Sequence, residues 1–357
     1  MSTSPHRVLF DCERMKYPFT GLYYYCQHLG KSLLQEARPG LDLCFYLPPS
    51  AGPAFGPQAC YVPQRSLHKF LLPRKPHFQL WHSTHQASDY YPWRRKMKVL
   101  LTVHDLNWLY DRSKTDAKKQ RYLSGLKARI DRADHVVAIS QFTLNDLRRH
   151  IDLGDKPCSV IHNGSNIEEI TSLQPPQLQP SAPFFFTIGT IVAKKNFHVL
   201  PALLLQNDLQ LVIAGITQSE DYKNKIIHEA KRLGVEERVL FTGSISENDK
   251  QWYLKNCTAF AFPSISEGFG LPVVEAMHFG KPLLLANATS LPEIGGRHAH
   301  YFDHFEPEHI HAVAQKALSE HTETHAAAIR QWSAQFKWPA AARAYLDVYS
   351  SLLQEGV

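Results

Sequence analysis

Long hydrophobic runs are missing from this 357-residue chain. Its most apolar stretches, residues 99–103 and 209–216, fall far short of the roughly 20 residues that a bilayer-spanning helix needs. The first ten residues are polar and charged where a secretory signal holds its apolar core, so the expected location is cytoplasmic. Cys-x-x-Cys does not occur. The six cysteines (Cys12, Cys26, Cys44, Cys60, Cys158 and Cys257) are widely spread, which argues against a zinc knuckle or a disulfide framework and leaves reduced thiols as the expectation. Low-complexity blocks and repeats are absent, and no Gly-x-Gly-x-x-Gly follows a strand as a dehydrogenase would require.

What is present is the composition of a folded protein: 44% hydrophobic, 20% charged and 11% aromatic residues. The length suits two domains. The net charge of +6 is uneven, because residues 1–170 carry 24 Lys and Arg against 15 Asp and Glu, while the remainder carries 15 against 18. A basic first half suits an anionic partner: a phosphate-bearing substrate, an anionic lipid surface or a nucleic acid.

Strand-like and helix-like segments alternate in both halves, which predicts parallel sheets with crossover helices. Residues 171–183, with four prolines in thirteen positions, interrupt the alternation and read as a linker. The expected domains are therefore 1–172 and 183–337. A last helix over 338–357, with Ala341, Tyr345, Val348, Tyr349 and Leu352 on one face, is expected to complete the first. Two facing sheets of this kind would offer a ligand cleft at their strand ends.

The sharpest constellation is Glu267-Gly-Phe-Gly-Leu-Pro-Val-Val-Glu275. Gly268 and Gly270 let backbone approach a ligand, and Leu271-Pro272 opens a helix whose unpaired N–H groups favour an anion. Glu275 then projects one turn into that helix, where its carboxylate suits vicinal hydroxyls. A glycine-rich turn with two solvated glutamates is the plainer alternative. Gly189, Thr190, Lys194 and Lys195 follow a strand and precede a helix, a place for cations to meet a diphosphate. His104 directly follows residues 99–103, so its imidazole is expected at a strand's carboxyl end, and Gly21 opens the first helix as a second anion site.

The segment EGFGLPVVEAM resembles the E-x7-E motif of the retaining glycosyltransferases of family four, of the bacterial surface-polysaccharide and lipopolysaccharide type, which have the α/β GT-B fold of two Rossmann-like doubly wound domains. Asp11, Thr20-Gly21 with Tyr25, Val103-His104-Asp105-Leu106, Ala138-Ile139-Ser140, His162-Asn163-Gly164, Gly189-Thr190 with Lys195-Asn196, Phe241-Thr242-Gly243, Pro263-Ser264 and Leu291-Pro292-Glu293-Ile294 resemble that family in order and rough spacing. The resemblance implies a hexosyltransferase acting on a nucleotide sugar. Glu275 would hold the ribose and Glu267 the donor sugar, with amides of Phe269, Gly270 and Leu271 near the sugar and diphosphate and His104 touching the sugar. The subgroup makes GDP-mannose the favoured donor, with UDP-hexoses open. Retention is implied by the resemblance alone, and the family carries Arg where Lys194 stands.

Asp-x-Asp is absent and Glu306-Pro-Glu308 comes too late in the chain to clamp a donor through a cation, so transfer without a metal or cofactor is expected. His298, His300, His304, His309 and His311 form the rival zinc candidate, read here as loop histidines. Basic clusters Arg65/Lys69/Arg74/Lys75, Arg94-Arg95-Lys96/Lys98 and 112–132 alternate with Phe70, Phe78, Trp81, Trp93 and Trp108. They suit a glycan or lipid-linked acceptor approached through peripheral contact with an anionic membrane. The alternatives are another GT-B enzyme, such as an epimerase or phosphorylase, and more remotely a nucleic-acid-binding module, for which no helix-turn-helix, zinc-finger or RNA-recognition signature is found.

Overall fold

Strand segments such as Val8-Leu9-Phe10 and Leu283-Leu284-Leu285 are apolar at successive positions, a pattern that suits a parallel sheet covered on both faces. A computed structural model describes residues 5–18, 20–72, 77–94, 96–111 and 113–354. These strand residues are 0–1% exposed, and the strand pairs among the described residues are parallel.

In chain order the elements are β1 (His6–Asp11), α1 (Gly21–Gln35), β2 (Leu41–Leu47), β3 (Cys60–Pro63), β4 (Leu80–Ser83), β5 (Lys98–Val103), α2 (Asn107–Tyr110), α3 (Asp116–Arg132), β6 (His135–Ala138), α4 (Gln141–His150) and β7 (Cys158–Val160). They continue with β8 (Phe184–Ile188), β9 (Gln210–Ala214), α5 (Glu220–Arg232), β10 (Val239–Gly243), α6 (Glu247–Asn256), β11 (Ala259–Phe262), α7 (Leu271–His278), β12 (Leu283–Ala286), α8 (Leu291–Gly295), β13 (His300–Phe302), α9 (Pro307–Glu320), α10 (Glu323–Ser333) and α11 (Trp338–Gln354). One sheet has the order β3-β2-β1-β4-β5-β6-β7 and the other β10-β9-β8-β11-β12-β13. Both are doubly wound. The winding reverses between β1 and β4 and between β8 and β11, and ligands of such sheets bind beyond the carboxyl ends of the strands at that point.

The chain up to Gly164 and from Phe336 onward forms one unit, and Ser165–Gln335 forms the other. The proline-rich stretch read as a linker lies within the second unit. Asn248 Nδ2 donates to the Gln174 carbonyl at 2.8 Å, and the Tyr253 hydroxyl donates to that of Leu178. Prolines prevent a helix or ladder here but leave carbonyls that α6 side chains can satisfy. The chain crosses between units earlier, at Gly164–Ser165.

Helix α11 returns to the first unit and buries Tyr345, Leu346 and Tyr349 against it. The Tyr25 and Tyr345 hydroxyls lie 2.8 Å apart; His82 bonds the Tyr349 hydroxyl through Nδ1 at 2.6 Å and Thr102 Oγ1 through Nε2 at 2.9 Å. Where the chain leaves this unit, a Cβ on Gly164 would lie 2.2 Å from the Trp338 nitrogen, so only glycine fits. One expectation is overturned: Cys44 and Cys60 are disulfide-bonded. They stand opposite each other in the β2–β3 ladder, 4.5 Å apart at Cα, a meeting set by register that a spacing of sixteen residues does not reveal. Cys12, Cys26, Cys158 and Cys257 are free thiols.

Candidate active site

In the second unit the site begins where β8 ends. Gly189 and Thr190 follow the strand, and Gly215, at the end of β9, packs so tightly that a Cβ there would sit 2.0 Å from the Gly189 carbonyl oxygen. The chain then makes a 3-10 turn over Ala193–Lys195, closed by Asn196 in the left-handed conformation. Lys194 keeps its side chain exposed and lends its carbonyl, which accepts from the Ile265 N–H at 3.0 Å and lies 3.2 Å from Ser264 Oγ. This pins the β8 loop to the loop after β11. Lys195 turns inward: its ammonium lies 2.6 Å from Glu267 Oε1 and 4.9 Å from the centre of the Phe262 ring.

The glutamate pair occupies the next loop and helix. Ser264 has a single O–H, and its short contact is to Glu267 Oε1 at 2.6 Å, so one carboxylate oxygen is held by the Lys195 ammonium and this hydroxyl while Oε2 keeps its lone pairs for a further donor. Gly270 is the N-cap of α7 at φ 104°, and a Cβ there would meet the Leu291 side chain at 2.9 Å. Leu271 and Pro272 open the helix, as the sequence pattern predicts. Phe269 is buried, and its carbonyl accepts from Ser290 Oγ at 2.9 Å, with the Glu267 carbonyl 3.3 Å from the same hydroxyl. Glu275 lies in the second turn of α7, buried, with Lys250 of α6 at 3.0 Å from its Oε1. Burial pushes the Glu275 carboxyl up from its ordinary pKa and the Lys250 ammonium opposes this. Burial likewise works against the Lys250 charge, but Glu275 and Glu247 hold its pKa above the usual lysine value.

Sequence reasoning missed Lys250 and Ser264 as site residues. Ser264 was visible only as part of a resemblance, and Lys250 sits in a charged stretch, Glu-Asn-Asp-Lys, indistinguishable from a solvated helix face.

In the first unit His104 emerges at the carboxyl end of β5 and is almost fully buried. Its Nε2 lies 2.8 Å from the Thr84 carbonyl, which can only accept, so Nε2 carries the proton and Nδ1 is the acceptor. Gln86 Oε1 takes the His104 backbone N–H at 3.0 Å, and the Tyr25 ring packs edge-on at 4.6 Å. Burial brings the imidazole pKa down to about 4. It is a neutral hydrogen-bonding group at pH 7. Asp11, at the end of β1, is wholly buried and accepts from Ser88 Oγ and the Glu13 N–H; burial pushes its pKa up to about 7. Gly21 is the exposed first residue of α1, whose N-cap Thr20 accepts from the Tyr23 N–H.

The histidine-rich segment is not the loop expected. His300 lies on β13, and His309 and His311 lie on α9, which Pro307 starts. His309 Nε2 accepts from the Asp303 N–H at 3.2 Å, and His304 pairs with Glu306. Among the described residues no three His, Cys, Asp or Glu side chains gather as ligands for a metal ion. The basic–aromatic reading also needs correction, since Phe78 and Trp81 belong to the core while Phe70 and Trp93 are exposed. Apolar rings inside a sheet and on its surface look alike in sequence. Arg74, Lys75, Arg95 and Arg112 lie outside the described residues.

Residues 24–169 match the sequence profile of Glycosyltransferase Family 4, and residues 170–331 match that of Glycosyl transferases group 1. The chain belongs to glycosyltransferase family four. This family-four chain is 30% identical to the serotype-specific mannosyltransferase WbdA of Escherichia coli over 292 residues, 75% of its own length and 34% of WbdA. It therefore spans about a third of that relative. It is 25% identical to the O-antigen chain mannosyltransferase B of Escherichia coli across 97% of this chain and 100% of that one. The fold is that of Anabaena HepE, solved in complex with UDP-glucose, at a TM-score of 0.72 and 17% identity, covering 97% of this chain and 99% of that one. Two parallel doubly wound units in one family-four chain constitute the GT-B fold.

Proposed function

We propose that the chain transfers a hexose, mannose by preference, from a nucleoside diphosphate to a glycan or lipid-linked acceptor, with retention of anomeric configuration and without a metal ion. The observation that carries this reading is the pair of lysine-held carboxylates, Glu267 and Glu275, on either side of the Gly270 helix start. Ribose and hexopyranose rings both present vicinal hydroxyls, which carboxylates bind by charge-assisted hydrogen bonds. Glu275 takes the ribose and Glu267 the sugar. Between them the N-terminus of α7 and the Lys194-Lys195 turn offer positive potential to the diphosphate, whose charge concentrates as it departs. Within the first unit, neutral His104 presents Nδ1 as an acceptor of the kind a hydroxyl fills, and the Gly21 backbone at the start of α1 is uncrowded. Retention places the acceptor on the face of the leaving group, whose phosphate takes its proton.

Mannose is favoured because the curated relatives are named mannosyltransferases, and UDP-glucose is the second donor to try because HepE was solved with it. The test is to offer GDP-mannose, UDP-glucose and ADP-glucose with a lipid-linked glycan extract, with and without EDTA. The expected result is acceptor-dependent release of GDP, unaffected by EDTA, with an α-linked product by NMR. Release of no nucleoside diphosphate from any donor would overturn the reading.

The acceptor side is the first unit, read as docking on an anionic membrane. Support comes from the turn over Ser66–Lys69 and its continuation, where Leu67, Phe70 and Leu71 are 65%, 89% and 54% exposed. Arg65 is exposed just before this turn, Arg94 is exposed beside exposed Trp93, and the Lys69–Asp89 pair at 2.7 Å ties the turn to the segment that leads to Trp93. Each cation near such a surface contributes about 1 kcal/mol, and a buried aromatic adds apolar area. No helix among the described residues is long and apolar enough to cross a membrane. Flotation with phosphatidylglycerol vesicles at low salt is expected to carry the protein upward, and Phe70→Asp to leave it behind; equal flotation of both would remove this surface from the account.

A further inference from the structure

The two carboxylates of the motif are each held by one partly buried lysine, yet only Lys195 belongs to the segment around the motif's own loops. Lys250 comes from α6, where Ser246 and Asp249 form a capping box that fixes the first turn. Its ammonium has three N–H groups, and two are used: one on Glu275 Oε1 at 3.0 Å, one on Glu247 Oε2 at 2.9 Å. The Lys250 and Glu275 side chains are only 13% and 6% exposed, whereas Glu247 is half exposed. A lysine placed between a buried and an exposed carboxylate on its own helix is braced from the solvent side and aimed at the buried one.

We propose that Lys250 is a positioning residue of the donor site, orienting the Glu275 carboxylate so that its outward oxygen meets the 2′- and 3′-hydroxyls of the donor's ribose. This rests on the nucleotide-sugar reading above. Without Lys250, Glu275 would lie in α7 among Val273, Val274, Ala276 and Met277, all buried, with its main compensating charge gone. It would then turn toward water or take up a proton, and either change spoils its grip on a diol. Bracing by Glu247 gives the arrangement a direction: the lysine serves Glu275 and is itself served by Glu247.

The test separates ribose recognition from general damage. Calorimetric titration of the full chain with GDP and UDP, and with their 2′,3′-dideoxy counterparts, is carried out on the wild type and on Lys250→Met, Lys250→Arg and Glu275→Gln. Lys250→Met is expected to weaken the ribonucleotide about tenfold and to leave the dideoxy nucleotide unchanged, as is Glu275→Gln, while Lys250→Arg restores most of the affinity. Because Lys250→Met strands a buried carboxylate, the double variant Lys250→Met/Glu275→Gln is included; it is expected to melt near the wild type and to bind ribo- and dideoxy-nucleotides alike. Equal losses on both nucleotide types, or a ribose preference undiminished in Lys250→Met, would overturn the role of Lys250 while leaving the donor reading intact. A wild type that binds neither GDP nor UDP would overturn both.

Discussion

At the scale of single residues the chemistry turns on how much of each functional group is already spent inside the protein. Glu267 gives Oε1 to Lys195 and Ser264, which fixes the carboxylate plane and leaves Oε2 for a ligand hydroxyl. Hydrogen bonds to a charged group contribute about 1.5–3 kcal/mol each, so losing one donor loosens the carboxylate and losing the carboxylate itself costs more. Ser264→Ala removes a neutral donor and is expected to lower kcat/KM about tenfold. Glu267→Ala removes the acceptor itself, leaves the Lys195 ammonium without its carboxylate, and is expected to lower kcat/KM by about a hundredfold or more. Steady-state kinetics with GDP-mannose checks the order of the two, with thermal melts to show that both variants are folded. A Ser264→Ala enzyme as impaired as Glu267→Ala would mean that the hydroxyl acts on the substrate directly. His104 illustrates the same economy, since its Nε2–H is committed to Thr84 and only an acceptor nitrogen remains.

At the scale of elements the decisive piece is the start of α7. Gly270 sits at φ 104°, in a region that favours glycine, and faces Leu291 closely enough that a methyl group cannot enter without displacing it. Gly270→Ala therefore combines backbone strain with a clash and is expected to cost about 1–3 kcal/mol, lowering the melting temperature by several degrees and abolishing transfer by tilting the helix terminus. A variant that melts lower but turns over normally would show that the amides of this terminus do not bind the donor. The same element explains what the sequence made legible. Glu267, Gly270, Pro272 and Glu275 announce a loop-to-helix junction because each residue type has a backbone reason to stand there. The central strands were legible because burial on both faces makes them apolar throughout. The edge strands β3, β7 and β13 were not: three or four residues long and partly exposed, they lack that signature. Lys250, the Cys44–Cys60 bridge and the His82–Tyr349 contact were hidden for a different reason, because each depends on register or packing between segments distant in sequence.

At the scale of the whole molecule the two units draw their stability from separate cores, and the first depends on a helix that arrives only after the second is complete. Its buried polar residues titrate against one another. Burial lowers His82 to about 3 and His104 to about 4, against 6.5 for an ordinary imidazole, so the unfolded chain binds these protons first; the stability they confer is present above pH 6.5 and lost as the pH falls toward 4. Asp11, raised to about 7 from 3.8, works the other way: its folded form takes up a proton below pH 7, which stabilises the fold as the pH falls toward 3.8. Two histidines outweigh one aspartate, so the melting temperature is expected to fall between pH 6.5 and 4, and to fall more steeply in Asp11→Asn; melts across that range decide it, and parallel curves would remove Asp11 from the balance. The dependence on α11 gives the sharper test. Removing residues 336–357 takes away Tyr345, Leu346 and Tyr349, opens a large void in the first core, and strips the Tyr25 hydroxyl of Tyr345 and His82 Nδ1 of Tyr349, while His82 Nε2 keeps Thr102. Cavities of single side chains already cost 2–5 kcal/mol, and several together exceed the stability of an ordinary domain. The second unit retains its own sheet, its Lys195–Glu267 and Lys250–Glu275 pairs and its intact chain. Calorimetry of the truncated chain is expected to show one cooperative transition in place of two, and that transition is expected to move upward with GDP or UDP; loss of both transitions would mean that the second unit cannot stand without the first.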